Sequence, residues 1–370
     1  MITKRVGEIS PSLTLEIAAR AAKMKKDGQD IVSLTVGEPD YDTPDFVIDA
    51  ATKAMKDGHT RYTAVAGILA LREAICEKLS RENGLSYKPE QIVVSNGAKQ
   101  SISNALMALV EEGDEVIIIA PYWLTYPELA KLCGATPVIV PSLSAVKGAI
   151  TKKTKAIIVN SPSNPSGEVY SGEELKNLAS VLLGSDIWVI SDEIYEHLIY
   201  EGDPHVSIAR FYDKTIVVNG FSKSHAMTGW RIGYTASCVE VAKAMTSLQS
   251  QTTSNINTPT QYAGLEALKS PKSDGFVKGM RAELGKRREY VLERLEKMGL
   301  KFIYPKGAFY VMIEVEKPAA DVAKELLDDY LLAVIPCESF GAPNHIRISY
   351  TTSMDEIVRG LDRLQKYFGK

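Results

Sequence analysis

The chain has 370 residues, 43 Lys+Arg against 46 Asp+Glu for a formal charge of −3, and 45% hydrophobic residues. That length suits about two domains with a substantial core, and the near-neutral balance argues against a nucleic-acid binder, which usually shows a basic face. Apolar runs reach only six residues, as in Ala105–Val110 and Tyr330–Ile335, far short of the roughly 20 a membrane span needs. The opening MITKRVGEIS has no apolar stretch behind its basic start, so it does not read as a signal peptide and a cytoplasmic location is expected.

In chain order, a helix is expected over Leu13–Lys26, ended by Gly28, then a strand over Ile31–Val36. This first stretch suits packing on either domain. A helical run, Ala66–Asn83, is closed by Gly84 as a C-cap. Short β-branched runs then alternate with amphipathic ones. The strands are Ile92–Ser95, Glu115–Ile119, Pro137–Val140, Lys155–Asn160, Ile187–Ser191 and Thr215–Asn219. The helices among them are Ala98–Val110, Glu128–Leu132 and Glu173–Leu183. Strands spaced this way pair in parallel through right-handed crossovers. Val116–Ile119 and Ala156–Val159 are apolar on both faces, as in a sheet covered on both sides.

After about residue 270 the rhythm changes. A long charged helix, roughly Ser273–Met298, leads to short strands at Phe302, Ala308–Val315, Leu332–Ile335 and His345–Ser349. Helices near Ala319–Asp329 and Ser353–Tyr367 complete this part. The fold class is therefore α/β: a large domain with a mostly parallel sheet covered by helices on both faces, plus a smaller α+β domain. The expected division is 1–40 as an N-terminal arm and part of the small domain, 41–275 as the large domain, and 276–370 as the small C-terminal domain.

The four cysteines (76, 133, 238, 337) and five histidines are scattered without CxxC or HExxH spacing, so no metal site is expected. GxGxxG after a strand, the P-loop and GxSxG are all missing. Polar residues gather instead just after the strand ends, where open parallel sheets bind ligands. In Gly220–Gly233 (GFSKSHAMTGWRIG) a lysine follows an apolar strand, small residues surround it, and an arginine stands eight positions on. Small neighbours admit a planar ring, and a lysine in a dry, partly cationic pocket becomes a nucleophile toward an aldehyde.

This segment resembles the pyridoxal-phosphate lysine segment of the class I aminotransferases of fold type I. The resemblance extends from about Arg5 to the C-terminus and is closest to the prokaryotic aspartate aminotransferase branch. It implies pyridoxal 5′-phosphate as cofactor, with Lys223 joined to it and then moving the substrate proton. Asp192 ends the apolar strand beginning at Ile187; a buried carboxylate there wants a positive partner, and a protonated pyridine nitrogen is one. By resemblance, Tyr195 bonds the ring oxygen, Asn164 donates to the same atom, and Ile194 packs on one ring face. Gly97, Ala98 and Lys99 open a helix after a strand and make an anion cradle. Arg231 and Ser222 add a bidentate fork and a hydroxyl for the phosphate. Tyr62 matches a tyrosine that reaches the neighbouring subunit's phosphate, implying a homodimer with shared sites. Trp123 matches the aromatic stacked on the ring.

For substrates, an amino acid and a 2-oxo acid, Arg347 matches the arginine that grips the α-carboxylate, and Gly37 the backbone that closes over it. Closure of the small domain over the substrate follows as an expectation. The segment Gln251–Asn257 has no basic residue where well-known aspartate enzymes of the family carry an arginine. Lys99 replaces it, a cation set against the helix dipole and therefore suited to an anionic ligand. Ser10 precedes Pro11-Ser12 where prephenate-accepting relatives carry a lysine, so prephenate is not expected. The expected reaction is ping-pong transfer from L-aspartate to 2-oxoglutarate. The rivals are an aromatic or alanine-type aminotransferase and a β-lyase. A DNA-binding regulator is not expected, since the chain begins directly at the arm of the enzyme domain.

Overall fold

The computed structural model describes residues 3–11 and 13–369; Ser12 and the side chains of Lys4 and Arg5 lie outside what is described. In chain order the strands are β1 (Val32–Ser33), β2 (Ile92–Ser95), β3 (Glu115–Ile119), β4 (Thr136–Val140), β5 (Thr154–Asn160), β6 (Trp188–Asp192), β7 (Thr215–Gly220) and β8 (Gly233–Ala236). Then come β9 (Phe302–Ile303), β10 (Tyr310–Glu314), β11 (Leu332–Ala333), β12 (Ile335–Pro336) and β13 (His345–Ser349). A seven-stranded sheet has the order β2-β8-β7-β6-β5-β3-β4. Its pairs are parallel except the two that β8 makes, with β2 and with β7.

Side-chain alternation explains why both faces are buried. On β3, Val116 and Ile118 pack with the helices Ala98–Leu109 and Val239–Thr252, while Ile117 and Ile119 pack with the helix Gly172–Leu182. Neighbouring residues of β5 divide in the same way. Near β2 and β8 the second face is covered by the helices Asp45–Lys56, Leu69–Lys78 and Thr258–Lys269. An apolar residue at every position is what this two-sided burial requires.

The second sheet, β12-β13-β10-β9, is antiparallel and packs on the helices Ser273–Lys297, Ala319–Tyr330 and Met354–Phe368. The first residues join this part: β1 pairs in parallel with β11, and Val32 and Leu34 enter its core. The run expected as one strand, Leu332–Ile335, is two, in different sheets. The N-terminal strand is also shorter than expected, Val32–Ser33, because the chain beyond it turns toward the ligand cavity. The helical run at 66–83 ends as a π-turn over Leu79–Asn83, with Gly84 at φ 65° capping it.

Candidate active site

The carboxyl ends of β5, β6 and β7 open on a cavity of about 540 Å³, closed by the start of the helix Ala98–Leu109, by Thr35–Glu38 and by Arg347 of β13. Topology sets this location. Parallel strands deliver their last side chains to one sheet edge, and the short second sheet swings Arg347 over it.

Lys223 is half-buried, yet its ammonium lies at the cavity floor, 2.5 Å from the carbonyl of Gly37. Burial lowers its pKa to about 8, helped by the positive charges of Arg231 and Arg347 and opposed by Glu38 and Asp192. The rings of Tyr195 and Phe309 lie 5.9 and 5.8 Å from the nitrogen. At neutral pH the amine is still mostly protonated, but it yields far more of the neutral form, the state a nucleophile needs, than an ordinary lysine does.

Asp192 ends β6 and is 3% exposed. Its Oδ2 accepts a 2.7 Å hydrogen bond from the Tyr126 hydroxyl, and Oδ1 one of 3.3 Å from the N–H of Ile194. Burial nonetheless raises its pKa to about 6, because those bonds only partly replace water. Among the described residues no lysine, arginine or histidine forms an ion pair with it. A buried carboxylate left this way is suited to a cationic ligand group.

The anion cradle is built by close approach. The first N–H groups of a helix have no intrahelical acceptor, and Ala98 and Lys99 begin theirs after Gly97 at φ 82°. A Cβ on Gly97 would lie 2.6 Å from Nη2 of Arg231, and one on Gly233 2.4 Å from the nitrogen of Ala98. Only hydrogen fits at either place. Arg231, at φ 55°, is held by the carbonyl of Thr228 at 2.8 Å and that of Asn96 at 3.4 Å. A left-handed non-glycine residue costs about 1 kcal/mol, and the strain aims the guanidinium at the helix start.

Arg347, 3% exposed, donates to Oδ1 of Asn164 at 2.9 Å and to the carbonyl of Thr35 at 3.2 Å, while its Nε has no partner. Its guanidinium lies 4.4 Å from the ring centre of Tyr310 and 5.1 Å from that of Phe340. No acidic side chain among the described residues pairs with it. Lys99 is likewise without one; its ammonium stands 4.9 Å from the Trp123 ring, and burial, then Arg231, lower its pKa.

Of the residues singled out from the sequence, Gly37, Ala98, Lys99, Trp123, Asn164, Asp192, Tyr195, Ser222, Lys223, Arg231 and Arg347 all line this one cavity, and Gly97 lies directly behind it. Tyr62 does not line it; it is 89% exposed on the surface.

The family model for aminotransferase class I and II matches residues 29–364. The chain belongs to that family. The aminotransferase is 45% identical to the probable aspartate/prephenate aminotransferase of Aquifex aeolicus (strain VF5), over 99% of this chain and 98% of that one. It is 44% identical to the aspartate aminotransferase of Bacillus sp. (strain YM-2), over 99% of each. Among solved structures, the aspartate aminotransferase of Thermus thermophilus with maleate superposes with a TM-score of 0.97 at 43% identity over 99% of both chains. That of Thermotoga maritima superposes at 0.95 and 39% over the full length of both. The fold is that of the type I pyridoxal-phosphate enzymes.

Aminotransferases of this class work with pyridoxal 5′-phosphate, and the residues present fit it. The buried Asp192, without a cationic partner, suits a protonated ring nitrogen, Lys223 with its lowered pKa suits an aldehyde, and the crowded turn at Gly97 with Arg231 suits a phosphate. Several lining residues of the aminotransferase escaped the sequence reading: Tyr126, Tyr310, Thr35, Glu38, Asn160 and the helix residues Thr14, Leu15 and Ala18. Tyr126 and Tyr310 read as ordinary apolar-face aromatics in the sequence. Asn160 carried a signal, since it ends a strand as Asp192 does.

Proposed function

We propose that this aminotransferase transfers the amino group of L-aspartate to 2-oxoglutarate, giving oxaloacetate and L-glutamate in a ping-pong sequence. The observation that carries the reading is the pair Lys99 and Arg347. Both line one cavity with Lys223, and neither has an acidic partner among the described residues. Two cations at separate points of one site suit a dicarboxylate. The Aquifex, Bacillus and Thermus relatives, whose names include aspartate, support it.

Bound pyridoxal 5′-phosphate supplies an aldehyde for the amino group and a ring that draws electrons from the substrate Cα. In this reading Lys223 takes and returns the Cα proton. Asp192 keeps a proton on the ring nitrogen, while Tyr195 and Asn164 donate to the ring oxygen. Ile194 and Trp123 cover the ring faces. Gly97, Ala98, Lys99, Ser222 and Arg231 hold the phosphate, with Tyr62 of a second copy completing it in a homodimer. Arg347 and the backbone of Gly37 grip the α-carboxylate. Residues 1–40 and 276–370 then move as a small domain against 41–275 and exclude water. No helix among the described residues is long and apolar enough to cross a membrane, which accords with a cytoplasmic enzyme.

Prephenate stays outside this reading, although the Aquifex relative carries it in its name. Ser10 stands where a lysine would be needed, its N–H bonded to Glu128, and it does not line the cavity. An aromatic amino acid is a second reading, favoured by the apolar wall of Leu15, Ala18, Trp123 and Phe340. The test is the absorbance of the cofactor-loaded protein, titrated separately with L-aspartate and L-phenylalanine. Conversion by aspartate and restoration by 2-oxoglutarate is the expected result. Conversion by phenylalanine alone overturns the choice of substrate, and release of pyruvate and ammonia overturns transfer in favour of elimination.

A further inference from the structure

Tyr310 stands on β10 opposite Ser349, one diagonal step from Arg347, which faces Met312. Residues two apart on paired strands share a sheet face, so Tyr310 and Arg347 project to the same side. The result is a guanidinium 4.4 Å from the ring centre of Tyr310, inside the range of a cation–π contact. The Tyr310 hydroxyl lies 3.1 Å from that of Tyr195, and Phe309 brackets Tyr195 edge-on with ring centres 5.3 Å apart. A Cβ on Gly37 would lie 3.2 Å from the same Tyr310 oxygen. Tyr310 is 1% exposed and has no room to leave. It therefore touches three residues of the site at once, two on the small-domain side and one, Tyr195, just beyond the end of β6.

We propose that Tyr310 is a positioning residue with two separable duties: its ring seats Arg347 for a substrate carboxylate, and its hydroxyl orients the phenol of Tyr195. The inference rests on the function proposed above. The ring acts because Arg347 has no acidic neighbour; a π-face stabilises the guanidinium without occupying the donors that a carboxylate needs. The hydroxyl acts because an orphaned buried phenol is costly, so Tyr195 turns toward whatever partner it is given.

The experiment uses the cofactor-loaded protein with Tyr310→Phe and Tyr310→Leu, reading maleate affinity and the pH midpoint of the cofactor's absorbance. Tyr310→Phe keeps the ring; maleate affinity stays within about twofold, and the absorbance midpoint moves up, because Tyr195 loses the neighbour that fixes it. Tyr310→Leu removes the ring as well, and maleate binding weakens about tenfold. Equal maleate affinity in the two variants overturns the ring's duty, and an unmoved midpoint in Tyr310→Phe overturns the hydroxyl's. Should the parent protein take up no pyridoxal 5′-phosphate and bind no maleate, the function reading falls, and this proposal with it.

Discussion

The hydroxyl of Tyr126 donates a 2.7 Å hydrogen bond to Oδ2 of Asp192, and both groups are buried. The helix Thr125–Leu132 carries the donor and β6 the acceptor, with the Trp123 ring set edge-on against Tyr126 at 5.4 Å. This bond lowers the pKa of Asp192 against the stronger upward push of burial. Tyr126→Phe removes it and drives Asp192 above its present value of about 6. A bond to an ionised group is worth about 1.5–3 kcal/mol, so in the cofactor-free protein the limb of the Asp192 carboxyl titration moves up by about 1–2 pH units. Titration of that carboxyl in the parent and the variant checks this; coincident limbs refute it.

Asp192 also couples folding to pH. Its folded pKa, about 6, lies above the ordinary 3.8, so the folded state holds the proton more tightly. The associated stability is complete below the ordinary value and is lost as pH rises through about 6. At pH 7.5 the buried charge costs the cofactor-free protein about 3 kcal/mol. Asp192→Asn therefore unfolds at higher urea than the parent at pH 7.5, with the difference shrinking below pH 4. The same substitution lowers turnover of the loaded enzyme at least about 100-fold. Urea curves at the two pH values decide the first part, and steady-state rates the second.

Gly97→Ala meets two obstacles, the φ of 82° and Nη2 of Arg231 at 2.6 Å. With ψ at 164° the residue sits in a backbone region that essentially glycine alone occupies, and the strain alone costs about 1–3 kcal/mol. Because Arg231 must yield, the larger effect falls on the phosphate: pyridoxal 5′-phosphate is held at least about tenfold more weakly, while pyridoxal without the phosphate is affected little. Equilibrium dialysis with both compounds separates these effects.

Lys99→Ala removes the cation proposed for the distal carboxylate and leaves Arg347 intact. The KM for aspartate rises about 10- to 100-fold, the worth of one charge-assisted bond, and that for phenylalanine changes far less. Arg347→Lys, by contrast, loses the planar fork that both substrates use and raises both KM values together. Equal losses on the two substrates in Lys99→Ala would remove its side-chain role.

Much of this enzyme was legible before any coordinates. The alternation of β-branched and amphipathic runs announced the large sheet, because burial on two faces demands apolar residues at every strand position. Asp192 stood out for a related reason: a carboxylate at the mouth of an apolar strand is costly without a positive partner, whereas Asn164 was marked only by resemblance. The segment Gly220–Gly233 marked the lysine because close approach of a ring excludes bulk on every side.

Contacts between distant segments were not legible. β8 is four buried residues beginning at Gly233, too short for a period and reversed relative to its neighbours, and it showed itself only through pairing with β2 and β7. Tyr126 and Tyr310 have the residue type of any core aromatic. What makes them part of the site is a 2.7 Å bond to a residue 66 positions away and a 3.1 Å bond to one 115 positions away. A local pattern reports which face of an element is apolar. Which hydroxyl meets which carboxylate depends on how the sheets pack, and that is a property of the folded chain alone.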